Sequence, residues 1–350
     1  MRSGFLLDPE VAYFNHGGYG ACPAEVFDEY QRLQRELERE PTTFFTRSFE
    51  DALRDARTAL ASFVGARAHD LVFTPNATSA LNAVLRSLRI RQNEEILTTK
   101  HEYGAILRTL GFIRANVVLV EPEELIGKIG IRTRAVVVSH ITSPTALVLP
   151  VEEVCEAARN AGVLSIVDGA HVPGHMPLDV EAVGADVYAG NCHKWLCAPK
   201  GAGFLWARPE HQEWIEPLVV SWGYHEDAGF GERHGWQGTR DPAAYLAVPK
   251  AIELHRTFDT AQANALADEA EKVLAPYGLR ALRGTRSPLM RAFTVRTNEP
   301  DVLWRRLYDE HRVEVPVYEW EETSLLRVSI GPYNDEADLE RLVAALRAVL

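Results

Sequence analysis

Cysteine is scarce in this 350-residue chain, which has only Cys22, Cys155, Cys192 and Cys197. None of them forms a Cys-x-x-Cys pair, which removes the common redox and zinc-ribbon patterns, and a chain this long needs no disulfide staples. Positive charge is also short. Lysine and arginine total 37 against 49 acids, for a formal net charge of −12. That balance argues against nucleic acid or an anionic membrane as partner, since both select a basic face. No apolar run reaches the ~18 residues of a membrane span. The first ten residues lack the apolar core of a secretory signal, so the expectation is a cytoplasmic protein. Also missing are a Gly-x-Gly-x-x-Gly run after the first strand and the Gly-Lys-Ser/Thr of a P-loop, which disfavours dinucleotides and nucleoside triphosphates. A zinc reading of His171 and His175 with Cys192 and Cys197 fails on Pro173-Gly174, which keeps the two histidines off a shared helical face. No metal is expected.

What remains is ordinary for a globular enzyme: 46% hydrophobic and 25% charged residues, enough for one large core and a smaller one. Apolar spacing predicts helices over 23–39 and 48–64. Strands at 70–74, 95–99, 117–121, 135–139, 161–168 and 186–190 then alternate with helices at 78–88, 102–114 and 151–161. This alternation reads as an α/β fold, a mostly parallel sheet flanked by helices. The segment 201–207 follows a turn too short for a helical crossover, so it should return antiparallel. Residues 218–242 are rich in Gly, Trp and His and read as a long loop. From 243 the pattern changes to a helix over 243–277, a strand near 290–296, a helix near 301–311, a strand at 325–330 and a last helix from 335. The expected organisation is an N-terminal arm (1–22), a large domain (23–242) and a smaller α+β C-terminal domain (243–350).

Two residues carry the chemistry. The apolar strand Leu164-Ser165-Ile166-Val167 ends in Asp168, which places a carboxylate at the carboxyl edge of the sheet, where open α/β folds bind ligands. The next strand leads to Asn191-Cys192-His193-Lys194-Trp195. An amine and an acid at neighbouring strand tips are what pyridoxal 5′-phosphate (PLP) needs, the lysine to bond its aldehyde and the acid to pair with its ring nitrogen. A strand-end Asp also serves as metal ligand, ribose binder or helix cap, so this pair needs company. Thr74-Pro75-Asn76-Ala77-Thr78-Ser79 joins a strand to a helix and offers free N–H groups and hydroxyls to a phosphate, although it is also simply a good helix cap.

Taken with Tyr13-Phe14-Asn15-His16-Gly17-Gly18-Tyr19-Gly20, His140-Ile141-Thr142-Ser143-Pro144-Thr145, Asp168-Gly169-Ala170-His171, Trp236-Gln237-Gly238-Thr239-Arg240-Asp241 and Leu326-Arg327-Val328-Ser329, these segments give the chain a resemblance. Over essentially its whole length it resembles fold-type I PLP enzymes of the class V aminotransferase group, and within them the isopenicillin N epimerase-like proteins. The resemblance implies that Lys194 bonds the cofactor and Asp168 holds its ring nitrogen. Ala77, Thr78 and His193 would contact the phosphate, with Thr239 reaching it from the second subunit of a homodimer. His101 would lie over the ring, Ser143 and His171 near its phenolic oxygen. Arg327 would grip the carboxylate of a small amino-acid-type substrate, and Asn15 would line the site. Epimerisation and transamination at Cα, and β-elimination at a C–S bond, all stay open, as does a non-catalytic binding protein of the same fold. The resemblance departs from cysteine desulfurases at one point: no cysteine follows Cys197, so their persulfide chemistry is not expected. The loop containing Trp222, Tyr224, His225, Arg233, His234 and Trp236 suggests a substrate with a second anionic or aromatic end.

Overall fold

The computed structural model describes residues 2–350. Its strands, in chain order, are β1 (Ala12–Tyr13), β2 (Leu71–Thr74), β3 (Glu95–Thr99), β4 (Val117–Val120), β5 (Thr133–Ser139), β6 (Leu164–Gly169), β7 (Val187–Asn191), β8 (Gly203–Ala207), β9 (Arg280–Ala281), β10 (Met290–Val295), β11 (Val313–Glu314), β12 (Val317–Trp320) and β13 (Thr323–Ser329). Seven of them form the main sheet, ordered β2-β8-β7-β6-β5-β3-β4. All neighbours are parallel except β8, which runs antiparallel to both β2 and β7. Its short approach from β7 forces that direction, as expected from the sequence.

The valine run of β5 shows why the sheet is covered on both faces. Val136 and Val138 pack in a cluster with Leu60, Val154 and Val167, whereas Ala135 and Val137 pack with Leu81, Ile106 and Ile166. Period-two alternation thus feeds two apolar layers, one per face. Helices Ala24–Arg39, Phe49–Val64 and Val151–Asn160 supply the first layer, and Ala77–Ser87 with Gly104–Phe112 the second.

A second sheet, ordered β12-β13-β10-β9 and wholly antiparallel, lies in the C-terminal part. One face carries Phe293, Val317, Leu326 and Val328 against helices Thr260–Leu274, Pro300–His311 and Glu336–Val349. From the other face, Met290 and Ala292 pack on Ile141, Val172 and Trp195 of the large sheet's loops. The N-terminal segment ties the two parts together: β1 pairs in parallel with β11, and Asn15 bridges Ser329.

Two expectations are corrected. The single helix over 243–277 is three helices, Ala243–Leu246, Val248–His255 and Thr260–Leu274. Pro249 sits in the first turn of the second, and the Asp259 side chain caps the third by accepting the Gln262 N–H. The strand β12 was not foreseen, because Pro316 and the acids around it break the apolar alternation.

Candidate active site

The carboxyl ends of the parallel strands converge. Asp168 in β6 lies opposite Ser139 of β5 and Ala189 of β7. Lys194 follows the end of β7, and its Nζ is 3.2 Å from His171 Nε2. The Trp195 indole N–H reaches His171 Nδ1 at 3.3 Å. An indole only donates, so Nδ1 accepts and the imidazole proton sits on Nε2, aimed at Lys194. The lysine must therefore accept, which only a neutral amine does. Its electrostatics agree: burial, with the Arg327 guanidinium second, pushes Lys194 down from 10.5 to about 7, against the opposing pull of Asp168. His171 is held well below its usual value by burial and then by Lys194 and Arg327.

Asp168 Oδ1 accepts the Ala170 N–H at 2.8 Å, and Oδ2 receives no hydrogen bond among the described residues. Burial raises its pKa, although the Ala170 N–H and Lys194 both oppose the shift. Glu102, which sequence reasoning missed, is a second buried carboxyl close by. Its Oε1 accepts from Ser139 Oγ at 2.6 Å and from the Tyr103 N–H at 2.8 Å, and burial followed by Asp168 raises it to about 7. A charged donor on Asp168 Oδ2 would restore the aspartate's ionised form, which is what a protonated pyridine nitrogen supplies.

The N-terminal arm clamps the lysine backbone. His16 donates from Nε2 to the Lys194 carbonyl at 3.0 Å and accepts from the Tyr333 hydroxyl at 3.1 Å. Burial lowers its pKa to about 3, which keeps it neutral. Gly20, at φ 70° and ψ 167°, approaches so closely that a Cβ there would overlap the His193 carbonyl oxygen. Asn15 donates to Glu314 at 3.0 Å, leaving its Oδ1 buried without a partner. His16 and Trp195 both lay inside segments noted in the sequence, but a motif string does not reveal that they hold a carbonyl and an imidazole.

At the head of helix Ala77–Ser87, Asn76 caps the Ser79 N–H at 2.8 Å. The Ala77 N–H goes to Asn191 Oδ1 at 2.8 Å. The turn is cross-braced to β7, and the Thr78 N–H and the Thr78 and Ser79 hydroxyls are its donors without an acceptor among the described residues. His193 bonds the Ala202 carbonyl through Nδ1 at 3.1 Å, which turns Nε2 away from that bond.

Arg327 comes from β13, and its Nη1 donates to the Ser143 carbonyl at 2.6 Å and to its hydroxyl at 3.1 Å. Its Nε is buried without an acceptor, and Nη2 has none among the described residues. The free edge suits a carboxylate. His101 precedes Glu102 and is fixed by its own contacts. Its Nδ1 lies 2.8 Å from Thr145 Oγ1, its ring meets Trp320 edge-on at 4.9 Å, and Nε2 is 3.8 Å from Glu121. Thr239 is exposed, and its neighbours in the loop lean on Phe45, Phe49 and Gln34.

Of the loop residues read as a substrate grip, Trp222, Tyr224 and His225 are exposed, and the other three are engaged within the fold. Arg233 donates to the Gln212 and Glu213 carbonyls, His234 bonds the Ile215 carbonyl, and Trp236 packs on Phe45 and Phe49. All four cysteines are free thiols. Cys155, Cys192 and Cys197 are buried and Cys22 half-buried, and burial raises the pKa of each. A reactive thiolate is thereby disfavoured. Both ring nitrogens of His175 are taken, by the His171 carbonyl and the Leu289 N–H.

The family profile described as "Aminotransferase class-V" matches residues 13–342. The chain belongs to the aminotransferase class-V family. Through that membership it is a PLP-dependent enzyme, and the site fits the group: a neutral amine at Lys194, a free acceptor on Asp168 and free donors at Thr78. Among curated proteins it is similar to the isopenicillin N epimerase of Streptomyces clavuligerus, with 34% identity covering 99% of this chain and 97% of that protein. The isopenicillin N epimerase of Amycolatopsis lactamdurans is 35% identical with the same two coverages. Among solved structures, a lysine-to-alanine mutant of C-DES with glycine covalently linked to the PLP cofactor matches with a TM-score of 0.86 and 23% identity over the whole of both chains. That likeness bears out the fold.

Proposed function

We propose that this class-V enzyme acts at the Cα of an amino acid or amino-acid derivative, by epimerisation or transamination. The observation that carries the reading is the buried Lys194 amine, 3.2 Å from His171 at the strand tip beside Asp168 and pushed down to about 7 by burial. Bound PLP supplies an electron sink for the bond broken at Cα. In this reading Lys194 and Asp168 hold the cofactor's aldehyde end and ring nitrogen, with Thr78 and His193 on its phosphate and Ser143 and His171 near its phenolic oxygen. Thr239 of a partner subunit completes the phosphate site in a homodimer. The enzyme works in the cytoplasm.

The chain's own residues then have distinct tasks. Arg327, already fixed on Ser143, receives the α-carboxylate on its free edge and orients Cα–H toward Lys194. Lys194 would take that proton at its Nζ, and a base with a value near neutrality suits the task. His171 and His16 keep the lysine from swinging away. Epimerisation also needs a donor on the opposite face, and Tyr103 is the candidate beside Glu102, with Tyr19 of the arm as the second.

The test is Arg327→Ala. Removing one partner of a buried charged pair costs about 2–5 kcal/mol, so kcat/KM for every α-carboxylate substrate should fall by roughly thirtyfold or more, with the cofactor absorbance retained. An unchanged KM refutes the assignment. Cα deuteration in D2O without pyruvate supports the reading, whereas release of pyruvate and ammonia assigns the chain to C–S elimination.

A further inference from the structure

We propose that a cleft at the opposite end of the main sheet from Lys194 is a second binding site, and that it takes a small polyanion. The ligand class is a compact molecule with two or more anionic oxygens, a di- or tricarboxylate or a phosphate ester. It binds without entering the active site.

The parallel strands set the location. Ser139 and Asp168 lie at the carboxyl ends of β5 and β6, whereas the cleft opens at the amino ends of the same strands, between segments 89–94, 130–134 and 161–163. The seven residues of β5 separate the two ends by about 20 Å. An amino acid held at Lys194 does not span that distance. The cleft has a volume of about 630 Å3, within the range of small-molecule sites. Two bends keep it open. The Gly130 turn is closed by the Thr133 N–H on the Gly130 carbonyl at 2.9 Å and by the Gly130 N–H on Thr133 Oγ1 at 3.0 Å. Gly162 turns at φ 68°, and a Cβ added there would meet nothing within 4 Å.

The charge is what singles the cleft out. In a chain of net charge −12 the ordinary neighbour of an arginine is an acid, yet Arg89, Arg91 and Arg134 share this cleft with one carboxylate, Glu94. Glu94 is engaged in its own turn: Oε2 accepts the Arg91 N–H at 2.8 Å, and Oε1 lies 3.9 Å from Arg91 Nη1. Arg132, next in sequence to the lining residues, is matched by Glu95 at 3.3 Å. Arg134 is half-buried, and its Nε donates to the Arg89 carbonyl at 3.3 Å. That bond fixes the guanidinium plane, while Nη1 and Nη2 have no acceptor among the described residues. A planar fork with one donor anchored and the rest free suits carboxylate or phosphate oxygens. The helix Val151–Asn160 ends here, and its last carbonyls are taken by the Ala161, Gly162 and Val163 N–H groups, so they do not occupy the arginines. Three guanidiniums against one engaged acid favour a dianion or trianion over a monoanion. An anionic polymer would meet the acidic remainder of the surface, which a small ion avoids.

The experiment is calorimetric titration of the holoenzyme, whose own phosphate site is filled, with citrate, inorganic phosphate and acetate at one ionic strength set by NaCl. Citrate and phosphate should each saturate at one site per chain, and acetate should give no saturable heat. The tighter of the two assigns the natural ligand to carboxylates or to phosphate esters. Arg134→Gln and Arg89→Gln should each weaken binding about tenfold or more, the scale of a lost charge-assisted hydrogen bond. Ile131→Glu, at a fully exposed position of the rim, sets a carboxylate there and should abolish binding while Cα exchange stays unchanged. Arg327→Ala should retain it. No saturable binding of citrate or phosphate, an affinity unmoved in both Arg134→Gln and Ile131→Glu, or binding lost in Arg327→Ala overturns the proposal. The Cα reading stands or falls on its own test.

Discussion

The depressed basicity of Lys194 makes a quantitative prediction about cofactor capture. A lysine at its ordinary value near 10.5 is neutral in only about one molecule in three thousand at pH 7. Lys194, at about 7, is neutral in roughly half. The apoprotein's rate of capturing PLP should therefore climb about tenfold per pH unit below pH 7 and level off above it. A stopped-flow absorbance series from pH 5.5 to 9.5, normalised to Nα-acetyl-lysine to cancel the ionisations of PLP itself, measures the knee. Two substitutions should move the knee in opposite directions. Arg327 lowers the Lys194 value and Asp168 raises it, so Arg327→Met shifts the knee up and Asp168→Asn shifts it down. A rate that keeps climbing through pH 9, or a knee that moves the same way in both variants, refutes the electrostatic account.

Gly20→Ala should be among the most damaging single substitutions, because its Cβ runs into the His193 carbonyl oxygen in a backbone region essentially closed to other residues. A loss on the order of 3 kcal/mol is expected in urea unfolding, with weakened PLP affinity, and a wild-type melt contradicts the clamp. Acid sensitivity should be steep. His16, His140, His171, His175, His193 and His234 are all held below the ordinary 6.5 by burial. The unfolded chain takes protons there that the folded one refuses, so stability is full above pH 6.5 and falls as pH drops toward 4. Each group contributes about 1.4 kcal/mol per pH unit in that window, and a urea midpoint equal at pH 7.5 and 5.5 contradicts it.

Strand tips were legible in sequence because a buried parallel strand must be apolar until it reaches its carboxyl edge. Asp168 and Lys194 both announced themselves in that way, and the valines of β5 fixed the sheet's middle. The side-chain grips around them were not legible. That Asn191 holds the Ala77 N–H depends on a 114-residue separation, and no local pattern encodes it. His101 was assigned to the ring through resemblance, and its contacts with Thr145 and with Trp320, from a strand that Pro316 had hidden, were not foreseen. The basic residues of the 222–236 loop looked available for a ligand because sequence shows charge without showing which backbone carbonyls will claim it.

The pairing of β1 with β11 and the His16 clamp have a consequence for biosynthesis. While the ribosome is still translating, residues 164–194 can emerge and collapse, yet the partners of residues 12–16 are encoded near the far terminus. The nascent chain therefore holds a lysine without its lock until residues 313–333 have been made, and vitamin B6 loading belongs after that point.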